Sequence, residues 1–348
     1  MKNKLYLPLL ILAATVLLTI YSDISTQNAV LAMKNCVKNI IPSLFPYMVM
    51  SSMIVSCGAA ELIGKLLPLS RLFSLPKCAS ASIILGMICG FPLGAKSAVE
   101  LYENGYLSKT ETEVLISIAN NTGPSFLIFV IGAQFWHDIY WGLFLYIGQI
   151  VSAFLSALLI NKYIFPFKAS STTTPSIVSI KPFAESLSQS IVSAVISSLN
   201  ICGYITFFSV ISSIISEIFS FAPFNVKILL NAVLEFSKTT VITAEYDNPF
   251  SAFICGFAIG WSGLSVFCQT VSLTAPLKIS LKRCVSTIHV QGILLGGLCI
   301  INRLTVPKNR QISDYVEADY FNFVALVFIF FVMLTVYSVY KIKKRKCA

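Results

Sequence analysis

Long apolar runs alternate with brief polar punctuation along the whole chain. Runs near the roughly 20 residues a helix needs to cross a bilayer fall at 5–21, 40–57, 112–134, 141–160, 199–219, 250–273, 286–301 and 323–340. These predict about eight crossing helices. Two more stretches, 79–104 and 227–246, are apolar but cut by Gly, Pro or charge, and predict re-entrant hairpins. Two crossing runs are themselves interrupted, by NNTGPSF (Asn120 to Phe126) and GWSGLSVF (Gly260 to Phe267), at corresponding places in the two halves. A break at membrane depth frees backbone N–H and C=O groups that lipid cannot satisfy, so it survives only inside protein or beside a wetted cavity. Paired breaks of this kind are the sequence mark of a secondary transporter built from repeats.

The order of elements repeats. Each half carries an amphipathic stretch, a span, a hairpin, a span with a break, and a further span. Between the halves, 162–184 is rich in Ser, Thr and Pro, lacks periodicity and reads as a linker. The predicted organisation is an N-terminal transmembrane helix at 1–24, repeat one at 25–161, the linker, repeat two at 185–302, and a C-terminal helix with a basic tail at 303–348. An odd number of crossings per unit makes the second unit inverted relative to the first.

Composition secures the class. Hydrophobic residues make up 56% and charged residues 11%, with mean hydropathy +0.81, against about 25% charged in an ordinary soluble domain. The net charge of +10 sits in short loops and in the terminal KIKKRK, not on one face, which argues against a nucleic-acid partner. An N-terminus on the inner side puts Lys65, Arg71 and Lys77, then Lys162, Lys168 and Lys181, then Lys278, Lys282 and Arg283 in cytoplasmic loops, with both termini cytoplasmic. WHDIY (Trp136 to Tyr140) and EYDN (Glu245 to Asn248) then face the other side. The segment 301–322, with Arg303, Lys308 and Arg310, is an exception to that pattern. The N-terminal run reads as an uncleaved first span and not a signal peptide. Of the ten cysteines, none forms a C-x-x-C pair, and most, such as Cys57, Cys89, Cys202, Cys255 and Cys299, read as small core residues. No metal set, phosphate loop or serine–histidine–acid grouping has workable spacing, so neither an enzyme nor a cofactor is expected. His137, beside Trp136 and Trp141, reads as an interfacial anchor, and His289 as a core histidine.

Candidate chemistry lies at the interruptions. In the first hairpin Pro92 cannot continue a helical ladder, Gly94 frees the turn, and Lys96 and Glu100 stand at i, i+4. Lys96 is either a countercharge for an anion or half of an interfacial ion pair. At the first break Asn120, Asn121 and Thr122 end one half-helix. Gly123, Pro124 and Ser125 open the next, whose N-terminus suits a carboxylate; a plain kink is the alternative. In the second hairpin Glu235 and Lys238, with Thr239, form either an internal ion pair or a gate coupled to a proton or cation such as Na+. At the second break Ser262 and Ser265, around Gly263, share one helical face that Gln269 continues.

The stretches GFPLGAKSAVELYENGYLS, NNTGPSFLIFVIG, LLNAVLEFSKTT and GWSGLSVFCQT together resemble the YlbJ-type sporulation integral membrane proteins of the nucleoside-recognition (Gate) domain group. The resemblance runs from about residue 35 to 340. The chain departs from that pattern at Phe267 and Cys268, and at Lys238 and Thr239. What the resemblance implies is a hairpin-and-broken-helix inverted repeat like that of concentrative nucleoside transporters. It also implies a role in endospore formation, moving dipicolinic acid into the forespore across the outer forespore membrane. Two other functions share this architecture: a nucleoside or other small-solute carrier, and a membrane partner in sporulation that transports nothing.

Overall fold

A computed structural model describes residues 3–167, 182–246 and 248–305. The expected span at 323–340, the basic tail and most of the linker lie outside these residues. The described chain is helical throughout. In order it forms α1 (Asn3–Ile20), α2 (Ser22–Asn35), α3 (Ile41–Ser56), α4 (Ala59–Leu66), α5 (Ala79–Cys89), α6 (Leu93–Glu103), α7 (Lys109–Ala119), α8 (Ile139–Leu159), α9 (Phe183–Ile218), α10 (Phe224–Leu234), α11 (Phe236–Ala244), α12 (Pro249–Trp261), α13 (Gly263–Thr274) and α14 (Lys282–Thr305). A π-helical stretch, Ser125–Phe135, leads from the first break toward α8.

Four stretches are long and apolar enough to cross a membrane: Ile139–Ile164, Phe183–Ile218, Pro249–Thr274 and Lys282–Thr305. Two sharply bent pairs, 8–20 with 22–40 and 44–56 with 59–66, turn through 91° and 90°, and raise the number to six if each counts as one span. The protein is therefore an all-α multi-pass membrane protein with four to six such helices among the described residues, which hold seven of the eight apolar runs. The difference has local causes. The runs at 5–21 and 40–57 are single limbs of the bent pairs. The run at 112–134 is divided by its break, and α7 buries every residue from Glu111 to Ala119, Glu113 and Thr112 included. The run at 199–219 belongs to a longer helix that starts at Phe183, directly after Pro182, because the SLSQSIVSAVISS segment preceding it holds no helix breaker.

Each stretch expected as a re-entrant hairpin contains two short helices. The limbs α5 and α6 pack on each other, as do α10 and α11. Each limb has 11 residues or fewer, about 16 Å at 1.5 Å per residue, and is too short to traverse about 30 Å of hydrocarbon. Ser108 and Glu111 start α7 with a reciprocal capping box, which satisfies two of the orphan N–H groups at its first turn.

The main core joins the halves. Residues of α5–α8 (Ile83, Leu115, Leu145, Ile150) share one buried cluster with Cys255 and Ile259 of α12 and with Ile288 and Leu295 of α14. Glycines set the closest approaches there: a Cβ at Gly260 would lie 2.7 Å from the Gly292 backbone. Around this block α9 packs against α2 and α3, on α3 through Met48, Val49, Met53, Ala194 and Ile201.

Both ends of α14 carry a cation held by the first half. At its start Arg283 pairs with Glu113 of α7 (Nε to Oε2, 3.4 Å) and donates to Asn161 Oδ1 at 3.0 Å and to the Phe165 carbonyl. The basic loops around 162 and 282 therefore share one end of the bundle. At its other end the Arg303 guanidinium lies over Trp136 and Trp141, 4.8 and 4.6 Å from their ring centroids. Trp136 and Trp141 are buried, and Trp136 Nε1 donates to the Thr240 carbonyl of α11. The aromatic loop is thus a contact between halves and not a lipid-facing anchor, although His137 itself is exposed. His289 is also exposed, set edge-on to Trp261 at 4.4 Å, because it falls on the outer face of α14 and not in the core.

Candidate solute site where two hairpin tips meet two breaks

In each half the hairpin tip backs onto the break. At the first tip Gly90 has φ +81°, and a Cβ there would lie 2.5 Å from Gly123 N. Just inside the tip the Ala119 carbonyl, the last of α7, sits between the two limbs. Cβ atoms at Gly86 and Gly94 would fall 1.8 and 2.0 Å from it. At the second tip Gly263, with φ +77°, lies against Leu234, Glu235 and Phe236, its Cβ position 3.1 to 3.2 Å from their backbone. Ser262 beside it is also left-handed, φ 70°.

The two tip-and-break pairs meet. Phe236 of the second tip touches Phe91 of the first and Phe126 of the first break, each at 5.5 Å between ring centroids. Asn120 Nδ2 donates to Thr270 Oγ1 of α13 at 3.0 Å, and Gln291 Nε2 of α14 donates to Asn121 Oδ1 at 3.0 Å. Helix α13 also packs on α6. All four expected site segments are thus brought to one region.

At Thr122 the freed backbone of the first break is satisfied from α8. Gln149, fully buried, accepts from Thr122 N at 3.2 Å and donates to the Thr122 carbonyl at 2.9 Å, so one side-chain amide replaces the two helical bonds lost there. Asn121 is equally committed, donating to the Ile118 carbonyl while accepting from Gln291. Neither Gln149 nor Gln291 stands in a motif. The one trace of each in the sequence is an amide within an apolar span.

Other polar groups in this region are left over. Lys96 is buried, 3% exposed, and lies 3.8 Å from Glu100 Oε1. That oxygen accepts from Ser52 Oγ of α3, and the Lys96 Nζ makes no hydrogen bond. Asn120 Oδ1, Thr122 Oγ1 and Ser265 Oγ are likewise buried and make no hydrogen bond among the described residues. The atoms at the first break and on α13 are open to a ligand, and Lys96 on α6 is held by its ion pair with Glu100 alone. Pro92, Gly94 and Gln269 are buried nearby, Gly123 is half-buried, and Ser125 is exposed.

Two expected arrangements do not form. Glu235 caps α11, accepting from Lys238 N at 2.8 Å and Ser237 Oγ at 2.6 Å. The Lys238 ammonium turns away to Ser212 and Ser213 of α9, 3.3 Å each. An extended residue at a tip, 235 having φ −149°, aims its carboxylate along its own backbone, so the local ion pair is lost. Thr239 is spent within the helix on the Glu235 carbonyl. Ser262 is a left-handed cap outside the helix, so Ser265 and Gln269 alone share the predicted face.

Among the described residues no group of three His, Cys, Asp or Glu side chains could hold a metal. The nine described cysteines are all free; Cys57 and Cys202 are only partly buried, whereas Cys89, Cys255 and Cys299 are core residues as expected.

Fold and site together define a multi-pass helical membrane protein with broken helices packed on hairpin tips. Among curated proteins the chain is similar to the sporulation integral membrane protein YlbJ of Bacillus subtilis (strain 168), 29% identical over 117 residues. That match covers 32% of this chain and 29% of the relative, so the chain spans under a third of that protein's length. No family model and no solved structure matches the chain.

Proposed function

We propose that this protein carries a small organic anion across a membrane, with the solute held where the two hairpin tips meet the two breaks. The observation that supports this most is the set of buried polar atoms there that make no hydrogen bond among the described residues, Asn120 Oδ1, Thr122 Oγ1 and Ser265 Oγ, together with Lys96, whose Nζ is held only by its ion pair with Glu100. Buried polar groups are normally satisfied, and charge at membrane depth is retained when it is paired or used. Pro92, Gly94 and Gly123 shape the backbone there, and Gln269 lines α13.

In this reading the hairpins are re-entrant, and 25–161 and 185–302 are two Gate-like units in inverted orientation. The shared packing of tip on break in each half supports that reading. Both termini are cytoplasmic. In this reading, which rests on what the resemblance of the four motif stretches implies, dipicolinate is the solute and the outer forespore membrane the location, with a proton or Na+ as coupling ion. Dipicolinate is a planar aromatic dianion, suited to a lysine, amide and hydroxyl set beside phenylalanine rings.

A nucleoside carrier is the second reading, favoured by the Phe91–Phe236–Phe126 contact, which suits a planar neutral ring. Thermal stabilisation of detergent-purified protein separates the two, since a ligand that binds the native state stabilises it by RT ln(1 + [L]/Kd). Pyridine-2,6-dicarboxylate should raise the melting temperature, and Lys96→Gln should remove most of that rise. Stabilisation by nucleosides alone would favour the second reading. No stabilisation by either would leave a membrane partner that transports nothing.

A further inference from the structure

Lys238 stands outside the site just described. It follows Phe236 by two residues on α11, about 200° around the helix, so Phe236 faces the first tip while Lys238 faces α9. Its ammonium donates to Ser212 Oγ and Ser213 Oγ, at 3.3 Å each. Both serines spend their own protons elsewhere: Ser212 on Asn231 Oδ1 of α10, Ser213 on the Ser209 carbonyl. Asn231 in turn donates to Ser216 Oγ at 3.2 Å and to the Lys227 carbonyl. Ser212 and Asn231 in this cluster are buried, and Lys238 is half-buried.

The two hairpin lysines therefore differ in charge balance. Lys96 has Glu100 at 3.8 Å. Among the described residues Lys238 has no carboxylate within ion-pairing distance, since Glu235 is engaged at the α11 N-terminus. Hydroxyl lone pairs solvate the ammonium, and Glu235 acts on it only from beyond ion-pairing distance, so its charge is compensated in part, an expensive state for a group set among apolar helices. Among the described residues one of its three protons also has no acceptor.

We propose that Lys238, with Ser212 and Ser213, is a second anion position, between α9 and the second hairpin, that takes the carboxylate of a small organic acid. A carboxylate oxygen accepts the unspent ammonium proton. It also accepts the Ser212 or Ser213 hydroxyl, once that hydroxyl turns from its present acceptor. Occupancy ties α11 to α9, the long helix that packs on α2 and α3. The position is independent of the Lys96 site, and either can be present without the other.

The test is equilibrium binding of radiolabelled pyridine-2,6-dicarboxylate to full-length protein in a neutral detergent. Two sites are expected in the native protein. Lys238→Gln should weaken one of them at least tenfold and leave the other, whereas Lys238→Arg, which keeps the charge, should stay within about threefold. Ser212→Ala with Ser213→Ala should weaken the same site less than Lys238→Gln does. Melting of each variant without ligand identifies any that fails to fold; Lys238→Arg and the serine variants then carry the test. Unchanged binding in a folded Lys238→Gln overturns the proposal, as does a Lys238→Arg loss as large as that of Gln. Loss confined to Lys96→Gln would overturn it while upholding the central site; loss confined to Lys238→Gln would uphold it and sink the central site. Repeating the measurement in nanodiscs with and without phosphatidylglycerol gives the lipid arm. Displacement of the dicarboxylate by that lipid, dependent on Lys238, would make the occupant a headgroup phosphate and overturn the carboxylate assignment.

Discussion

Replacing Gln149 by Leu should destabilise the protein more than any other single loss of a hydrogen-bonding side chain at the first break. Leu has nearly the volume of Gln, so the packing of α8 is kept and no cavity opens. What is lost is the pair of bonds to Thr122, at 3.2 and 2.9 Å. Each buried backbone group left without a partner costs about 1–3 kcal/mol, so two cost about 2–6 kcal/mol. Gln291→Leu is the internal standard: it removes one bond, to Asn121 Oδ1, for about 1–3 kcal/mol, and Asn121 still holds the Ile118 carbonyl. Gln149→Glu should be worse than Leu, because its carboxylate offers no donor to the Thr122 carbonyl and buries a charge. Thermal unfolding followed by tryptophan fluorescence in neutral detergent gives the ranking: native, then Gln291→Leu, then Gln149→Leu, then Gln149→Glu. A Gln149→Leu variant that melts with the native protein, or with Gln291→Leu, would refute the argument that this amide stands in for the broken helix.

Other outcomes follow from the same geometry. Gly94→Ala places a Cβ 2.0 Å from the Ala119 carbonyl, whereas at Gly203 nothing lies within 4 Å; the first should cost about 1–3 kcal/mol or more, and the second should be neutral or gain up to about 1 kcal/mol, read as melting temperatures. Arg283→Ala strands a buried carboxylate at Glu113 and should cost about 3–5 kcal/mol. Glu113→Gln keeps an acceptor for Ser280 Oγ and Arg283 N and should cost clearly less in the same assay.

Much of the architecture is legible in the sequence because its physics is local. Apolar runs of spanning length must be helical in lipid, since no other open structure satisfies the backbone there. That alone fixes an all-α membrane class, and the runs of α8, α12–α13 and α14 fall where the apolar pattern puts them. The breaks at Asn120–Pro124 and Ser262–Gly263 and the hairpin tips at Gly90–Pro92 and Glu235 are equally local, being written in Gly, Pro and polar residues. The i, i+4 pair of Lys96 and Glu100 forms because a helix alone brings those positions together.

Partners across the fold had no such signature. That Gln149 repairs the Thr122 backbone, that Arg283 finds Glu113 170 residues away, and that Trp136 and Trp141 turn inward under Arg303 depend on which helices become neighbours. So does the fate of Lys238. Its spacing from Glu235 allows an ion pair, but the extended backbone at the tip points the carboxylate elsewhere, and α9 supplies hydroxyls instead. Spacing along one helix sets what can meet within it. Which charge remains open for a ligand is decided by the neighbours that tertiary packing brings to it.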